Sequence, residues 1–183
     1  MRSKLTSLTF TALITAILCV LSPFSIPLPE PMPAITLATF VLYFSGCVLG
    51  PKYSCMSLLL YLLLGCVGVP VFSKGQAGLQ VLFGPTGGYL LGYFFIALCT
   101  GLATARSRTG KQAVILPVLG MIIGTFLCYT FGTLWLAHFY ELPIGAAIAA
   151  GVTPFLIGDL LKIVAAAAIA PPIQKQLRNI SRP

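Results

Sequence analysis

Apolar residues along this chain fall into long unbroken runs rather than alternating or heptad patterns. Six runs stand out, near 5–21, 34–49, 54–69, 88–105, 113–136 and 154–170, separated by stretches rich in proline, glycine or basic residues. Each approaches the ~20 helical residues that cross a ~30 Å hydrocarbon core. The pattern predicts an all-α membrane protein: a compact bundle of six transmembrane helices forming a single domain over 1–183. After the first run, the stretch PFSIPLPEPMP is predicted to be non-helical, since each proline removes a donor and fixes φ. Gly50-Pro51 divides the second run from the third. The region 143–172 is too long for one span and holds Thr153-Pro154, with threonine a favoured N-cap and proline a favoured first helical residue. It is read as a short outer helix over 144–150, a spanning helix over 154–170 capped by Thr153, and a stop at Pro171-Pro172.

Composition agrees. The chain is 58% hydrophobic and 8% charged, against roughly 25% charged in soluble domains. Its net charge of +8 does not point to nucleic acid, because the basic residues do not cluster with aromatics on a polar face. They sit between apolar runs and read as topology signals. With the N-terminus inside, Arg2, Lys4, Lys52, Arg106, Arg108, Lys111, Lys175, Arg178 and Arg182 all fall on the cytoplasmic side, nine of the eleven Lys and Arg. Both termini are then cytoplasmic. The basic N-terminus resembles a signal peptide but lacks a small-x-small cleavage site, so the first run is read as a retained helix. The six cysteines all lie in apolar runs without a C-x-x-C pair and read as small buried residues.

The candidate chemistry lies in two places. Asp159 and Lys162 fall within the sixth run, where charges are costly and must face a cavity or each other. At i and i+3 they share one helix face. Two readings stand: a structural pair that neutralises itself, or a ligand clamp in the outer half of the bilayer. The second place is the Gly-rich connection from Gly68 to Tyr93, with Phe72, Gln76, Gln80, Thr86, Gly87 and Tyr89. Irregular backbone at membrane depth is tolerated where it is buried in protein or lines a cavity, and a packed outer loop is the alternative. Lys74 in this connection is read as a solvated charge, with attraction of an anionic ligand as the other reading. Small residues recur at four-residue spacing, including Ala12/Ala16, Gly46/Gly50, Gly88/Gly92, Gly120/Gly124 and Ala146/Ala150, and such spacing lets helices approach closely in lipid.

The combination of GVPVF, GPTGGYL and GDLLK, with a Pro-rich first loop followed by AITL, resembles the BioY family over nearly the whole chain, in order and with fitting spacing. BioY proteins are biotin-binding S components of energy-coupling factor (ECF) transporters. The resemblance implies a six-helix S component in the bacterial cytoplasmic (inner) membrane, with biotin bound near the outer face under the loops after the first and third helices. Asp159 and Lys162 match the family's D-x-x-K. Asp159 would suit the ureido N–H groups of biotin, and Lys162 either the ureido oxygen or the carboxylate. The remaining ligand-binding candidates are Phe72, Gln76, Gln80, Thr86, Gly87 and Tyr89. Ala12 and Ala16 resemble the small-residue motif that docks S components on the transmembrane coupling subunit, with internal packing as the alternative. Two ATPase subunits would complete the powered transporter. This chain has no Walker motif, so ATP would be hydrolysed by partners, and no cofactor or metal is expected here. One departure is Ala38, standing where the family pattern often has Gln.

The alternative functions are an S component for a different vitamin and an intramembrane enzyme. His138, the one histidine, reads as an interfacial residue rather than a base. No G-x-S-x-G or H-E-x-x-H occurs, and three acidic residues in total offer no pair for Mg²⁺.

Overall fold

The computed structural model describes residues 4–107 and 111–180. Arg2, Arg108 and Arg182, part of the predicted charge asymmetry, lie outside the described residues, as do the side chains of Lys4, Lys175 and Arg178. The first helix, α1, spans Lys4–Leu21. Ser7, Thr11, Thr15, Leu18 and Ser22 are buried and recur every three or four residues, which places them on one face. Thr11 donates to the Ser7 carbonyl at 2.8 Å, and Thr15 to the Thr11 and Ser57 carbonyls at 2.9 and 3.2 Å. The Thr11 and Thr15 hydroxyls are thus satisfied inside the protein, as an apolar solvent demands.

The proline-rich stretch is non-helical, as expected. It forms the loop of a small antiparallel hairpin, β1 (Ser25–Ile26) with β2 (Ile35–Thr36), in which Ser25 faces Thr36. The Glu30–Pro31 peptide bond is cis. Strands of two residues are too short to leave a period-two pattern, which is why the sequence did not disclose them.

The second and third predicted helices form one element, α2 (Ala38–Cys66), interrupted at Gly50, where φ is 76° and ψ is −179°. Glycine occupies this left-handed region without steric cost. Ser45 Oγ and Ser54 Oγ lie 2.6 Å apart, whereas nine residues of straight helix would separate them by about 13 Å. The chain therefore turns back at Gly50-Pro51, and the two arms of α2 pack against each other. Beyond α2, a strap carries a tight 3₁₀ turn at Ser73–Gly75 and the short helix α3 (Leu79–Leu82).

Helices α4 (Gly87–Arg106) and α5 (Gln112–Phe139) form an antiparallel pair with a glycine seam. A Cβ on Gly92 would lie 2.9 Å from Cys128 Sγ, and one on Gly124 only 2.7 Å from Ile96 Cα. The Gly88/Gly92 and Gly120/Gly124 pairs therefore serve packing within the chain.

The short helix α6 (Ile144–Gly151) appears as predicted, and α7 (Leu156–Ile180) follows. Two expectations about α7 need correction. It starts at Leu156, not at Pro154. The Phe155 N–H bonds to the Val152 carbonyl at 3.0 Å and the Asp159 N–H to the Phe155 carbonyl at 2.8 Å, so residues 152–155 make a tight turn in which Pro154 needs no donor. Nor does α7 stop at Pro171-Pro172; both prolines lie inside the helix. Ala170 is buried and Gln174 Nε2 donates to the Cys47 carbonyl, so packing on α2 carries the helix past two missing donors.

Helices α2, α4, α5 and residues 156–174 of α7 are long and apolar enough to cross a membrane, and α1 is a shorter apolar helix. Large apolar side chains such as Ile123, Phe126, Leu160 and Val164 point outward. This is the surface of a multi-pass membrane protein, whose solvent is lipid.

Candidate functional site

One end of the bundle encloses a cavity to which nearly every element contributes. Ser22 directly follows α1, Thr36 comes from β2, Ala38 and Thr39 from the start of α2, and Tyr61 and Phe72 from the end of α2 and the strap. Tyr89, Leu90, Tyr93 and Ile96 come from early α4, Cys128 and Tyr129 from late α5, Phe155 from the turn before α7, and Asp159 and Lys162 from the start of α7.

At its centre lies Asp159, 4% exposed. Its Oδ1 accepts from Thr39 Oγ1 at 3.0 Å and from Lys162 Nζ at 2.8 Å, and its Oδ2 accepts from the Tyr129 hydroxyl at 2.6 Å. Lys162 Nζ also donates to Thr39 Oγ1 at 3.0 Å. A carboxylate this buried requires both a counter-charge and hydrogen bonds, and α2, α5 and α7 each supply part of that shell. Its place in the first turn of α7 adds the favourable field of a helix N-terminus. The result is a neutral pair holding an acceptor and a donor side by side against aromatic walls. Such a pair suits an uncharged group with adjacent N–H and C=O functions, mounted on an apolar frame.

Of the predicted ligand residues, Asp159, Lys162, Phe72, Thr86 and Tyr89 come together around this cavity. Phe72 is fully buried, edge-on to Tyr61 at 5.6 Å between ring centroids. Tyr89 offers its ring, because its hydroxyl donates to the Gly151 carbonyl at 2.9 Å and lies 3.2 Å from Thr133 Oγ1. Gly87 stands outside the wall, at the start of α4, where a Cβ would run into the Leu82 carbonyl. Gln76 and Gln80 border a second, outer cavity with Glu30, Lys74 and Tyr140. Ala12 and Ala16 lie on the exposed face of α1 and line neither cavity. Ala38 is part of the inner wall. Among the described residues no group of three His, Cys, Asp or Glu is placed to hold a metal ion.

Sequence reasoning missed Thr39, Tyr129 and Tyr93. A signal was present. Thr125, Tyr129 and Thr133 recur every four residues through an otherwise apolar run, marking one polar face. Each meets a partner: Thr125 the Tyr43 hydroxyl at 2.6 Å, Tyr129 Asp159, and Thr133 Tyr89.

Comparisons with known proteins converge. The BioY family model matches residues 1–179. A biotin transporter, BioY2 of Lactococcus lactis subsp. cremoris, is 38% identical over 164 residues, covering 88% of this chain and 86% of its own length. The biotin transporter BioY of Thermotoga maritima is 38% identical over 161 residues, covering 88% and 91%. Among solved structures, the S-component for biotin from an ECF-type ABC transporter superposes with a TM-score of 0.85 at 26% identity, covering 94% of this chain and 92% of that one.

Proposed function

The chain belongs to the BioY family, and on that premise we propose that it binds biotin as the substrate-specific S component of an ECF-type transporter and mediates biotin uptake. The observation that carries this reading is the Asp159–Lys162 pair, framed by Thr39 and Tyr129 in the wall of an aromatic cavity. Biotin presents ureido N–H donors to Asp159, a ureido oxygen to Lys162, and a thioether ring to Phe72, Tyr89 and Tyr93. The relatives are named as transporters, and this chain is a transport component rather than an enzyme.

The chain crosses the membrane six times in this reading. The cavity is lined by the end of α1, the start of α2, the end of α2, the start of α4, the end of α5 and the start of α7, an alternation that supports six passes. Both termini then lie at the end opposite the cavity. Lys52, Arg106 and Lys111 are exposed there, which supports a cytoplasmic assignment for that end and an outward-facing cavity in a bacterial cytoplasmic membrane. The Ala12/Ala16 face of α1 is the docking surface for the coupling subunit. Two partner ATPase subunits hydrolyse ATP, and this chain needs no cofactor of its own.

Titration of the purified protein with biotin tests the reading, with other vitamins as competitors. Saturable biotin binding that is lost in Asp159→Asn is expected. Absence of biotin binding, with tight binding of another vitamin, would make this an S component for that vitamin instead.

A further inference from the structure

We propose that the ligand is held in two parts, its ring system in the inner cavity and its acidic tail in the outer one, where Lys74 is the counter-ion of the carboxylate. The inference rests on the biotin reading above. Asp159 and Lys162 are 2.8 Å apart and cancel in charge. A ligand carboxylate brought to Lys162 would also approach Asp159, and repulsion between like charges would offset the attraction. A ureido group meets no such conflict, being uncharged with both donors and an acceptor. The acid end of the ligand therefore needs a cation elsewhere.

The outer cavity provides one. Pro33, Ala34, Ser73, Val81 and Thr86 border both cavities, so the two spaces adjoin, and in this proposal the flexible tail leaves the ring site past Ser73 for the outer space. Lys74 lines that space beside the amides of Gln76 and Gln80. Its segment is anchored: the Lys74 N–H and Ser73 Oγ both donate to Ser25 Oγ of the hairpin, at 3.1 and 3.0 Å. Glu30 lines the same cavity. Among the described residues the ion pair within 4.0 Å is Asp159–Lys162, so Lys74 is not neutralised by direct contact. Glu30 biases the cavity against an anion and Lys74 biases it in favour, which gives two substitutions of opposite expected sign.

The test compares biotin with biotin amide, in which the carboxylate is replaced by a neutral group. Wild-type protein is expected to prefer biotin. Lys74→Ala should narrow that preference by about three-fold, the scale of a solvent-exposed pair, by weakening biotin and leaving the amide unchanged. Lys74→Arg should retain the preference, and Glu30→Gln should widen it. An equal change for both ligands in Lys74→Ala, or no change for either, overturns the subsite. So does equal affinity of wild-type protein for the two ligands, while leaving biotin recognition standing. Binding of neither ligand by wild-type protein overturns both.

Discussion

The two ends of the helix bundle are held together by different chemistry. At the cavity end, α2, α5 and α7 meet through polar side chains converging on one carboxylate. At the opposite end, glycines bring neighbouring helices into close contact. A Cβ on Gly101 would lie 2.5 Å from Pro51 Cα, and one on Gly46 2.7 Å from Thr100 Cβ. Such glycine contacts leave little space between those helices and present no polar group to a solute. Polar contacts in an apolar solvent are costly to assemble, yet they keep donors and acceptors where a solute can reach them. The comparison predicts that damage at one end removes recognition from a folded protein, and damage at the other removes the fold.

The largest expected effect is on recognition. Asp159→Asn removes the charged acceptor offered to the ligand's N–H groups, and hydrogen bonds to charged groups contribute about 1.5–3 kcal/mol each. Biotin affinity should fall by roughly 100-fold or more, since each 1.4 kcal/mol is tenfold, as read by equilibrium titration in detergent. The double variant Asp159→Asn/Lys162→Met removes both charges. It should melt no lower than wild type, because replacing a buried pair with neutral groups is often neutral or stabilising, and it should still fail to bind. Wild-type binding by the double variant would reduce the pair to structure.

At the other end, Gly101→Leu forces a side chain into the Pro51 backbone. Overpacking of this kind costs about 1–3 kcal/mol. Thermal unfolding in detergent should shift down, while the fraction that remains folded binds biotin with wild-type affinity. Weakened binding without lost stability would erase the distinction between the ends. A smaller effect is expected for Tyr129→Phe, which keeps the ring but removes the 2.6 Å hydrogen bond to Asp159. Hydrogen bonds to charged groups contribute about 1.5–3 kcal/mol, so affinity should drop around tenfold or somewhat more. Unchanged affinity would take Tyr129 out of the recognition shell.

The same division explains what the sequence disclosed. Long apolar runs revealed helices α1, α4 and α5, because lipid asks only for hydrophobicity and length. The Gly50-Pro51 turn was legible because a positive-φ glycine before proline ends a helix on local grounds. Pro171-Pro172 misled because packing of Ala170 and Gln174 on α2 overrides a local stop signal. Asp159 and Lys162 were conspicuous as charges in a span. Thr39 was not, and the Thr125/Tyr129/Thr133 spacing marked a polar face without its partner, since the meaning of a hydroxyl depends on which helix faces it. The split of the Gly68–Tyr93 strap between two cavities was likewise unreadable, because it follows from where the hairpin lies, not from the strap's own composition.

The smallest effect on ligand binding is expected at a surface belonging to neither end. One face of α1, with Thr11, Thr15 and Leu18, is buried against α2, while Ala12 and Ala16 point outward. Their small side chains let a partner helix approach closely in lipid, where packing rather than hydrophobicity drives association. Ala12→Trp adds a large ring on that outer face without entering the bundle or either cavity. Biotin affinity and melting temperature should match wild type, whereas recovery of the complex with co-expressed ECF coupling and ATPase subunits should fall sharply. Ala12→Ser, which preserves close approach, should assemble normally. Undiminished complex recovery with tryptophan in place would move the docking surface away from α1. Lost biotin binding would instead mean that α1 supports the cavity more directly than its Ser22 contribution indicates.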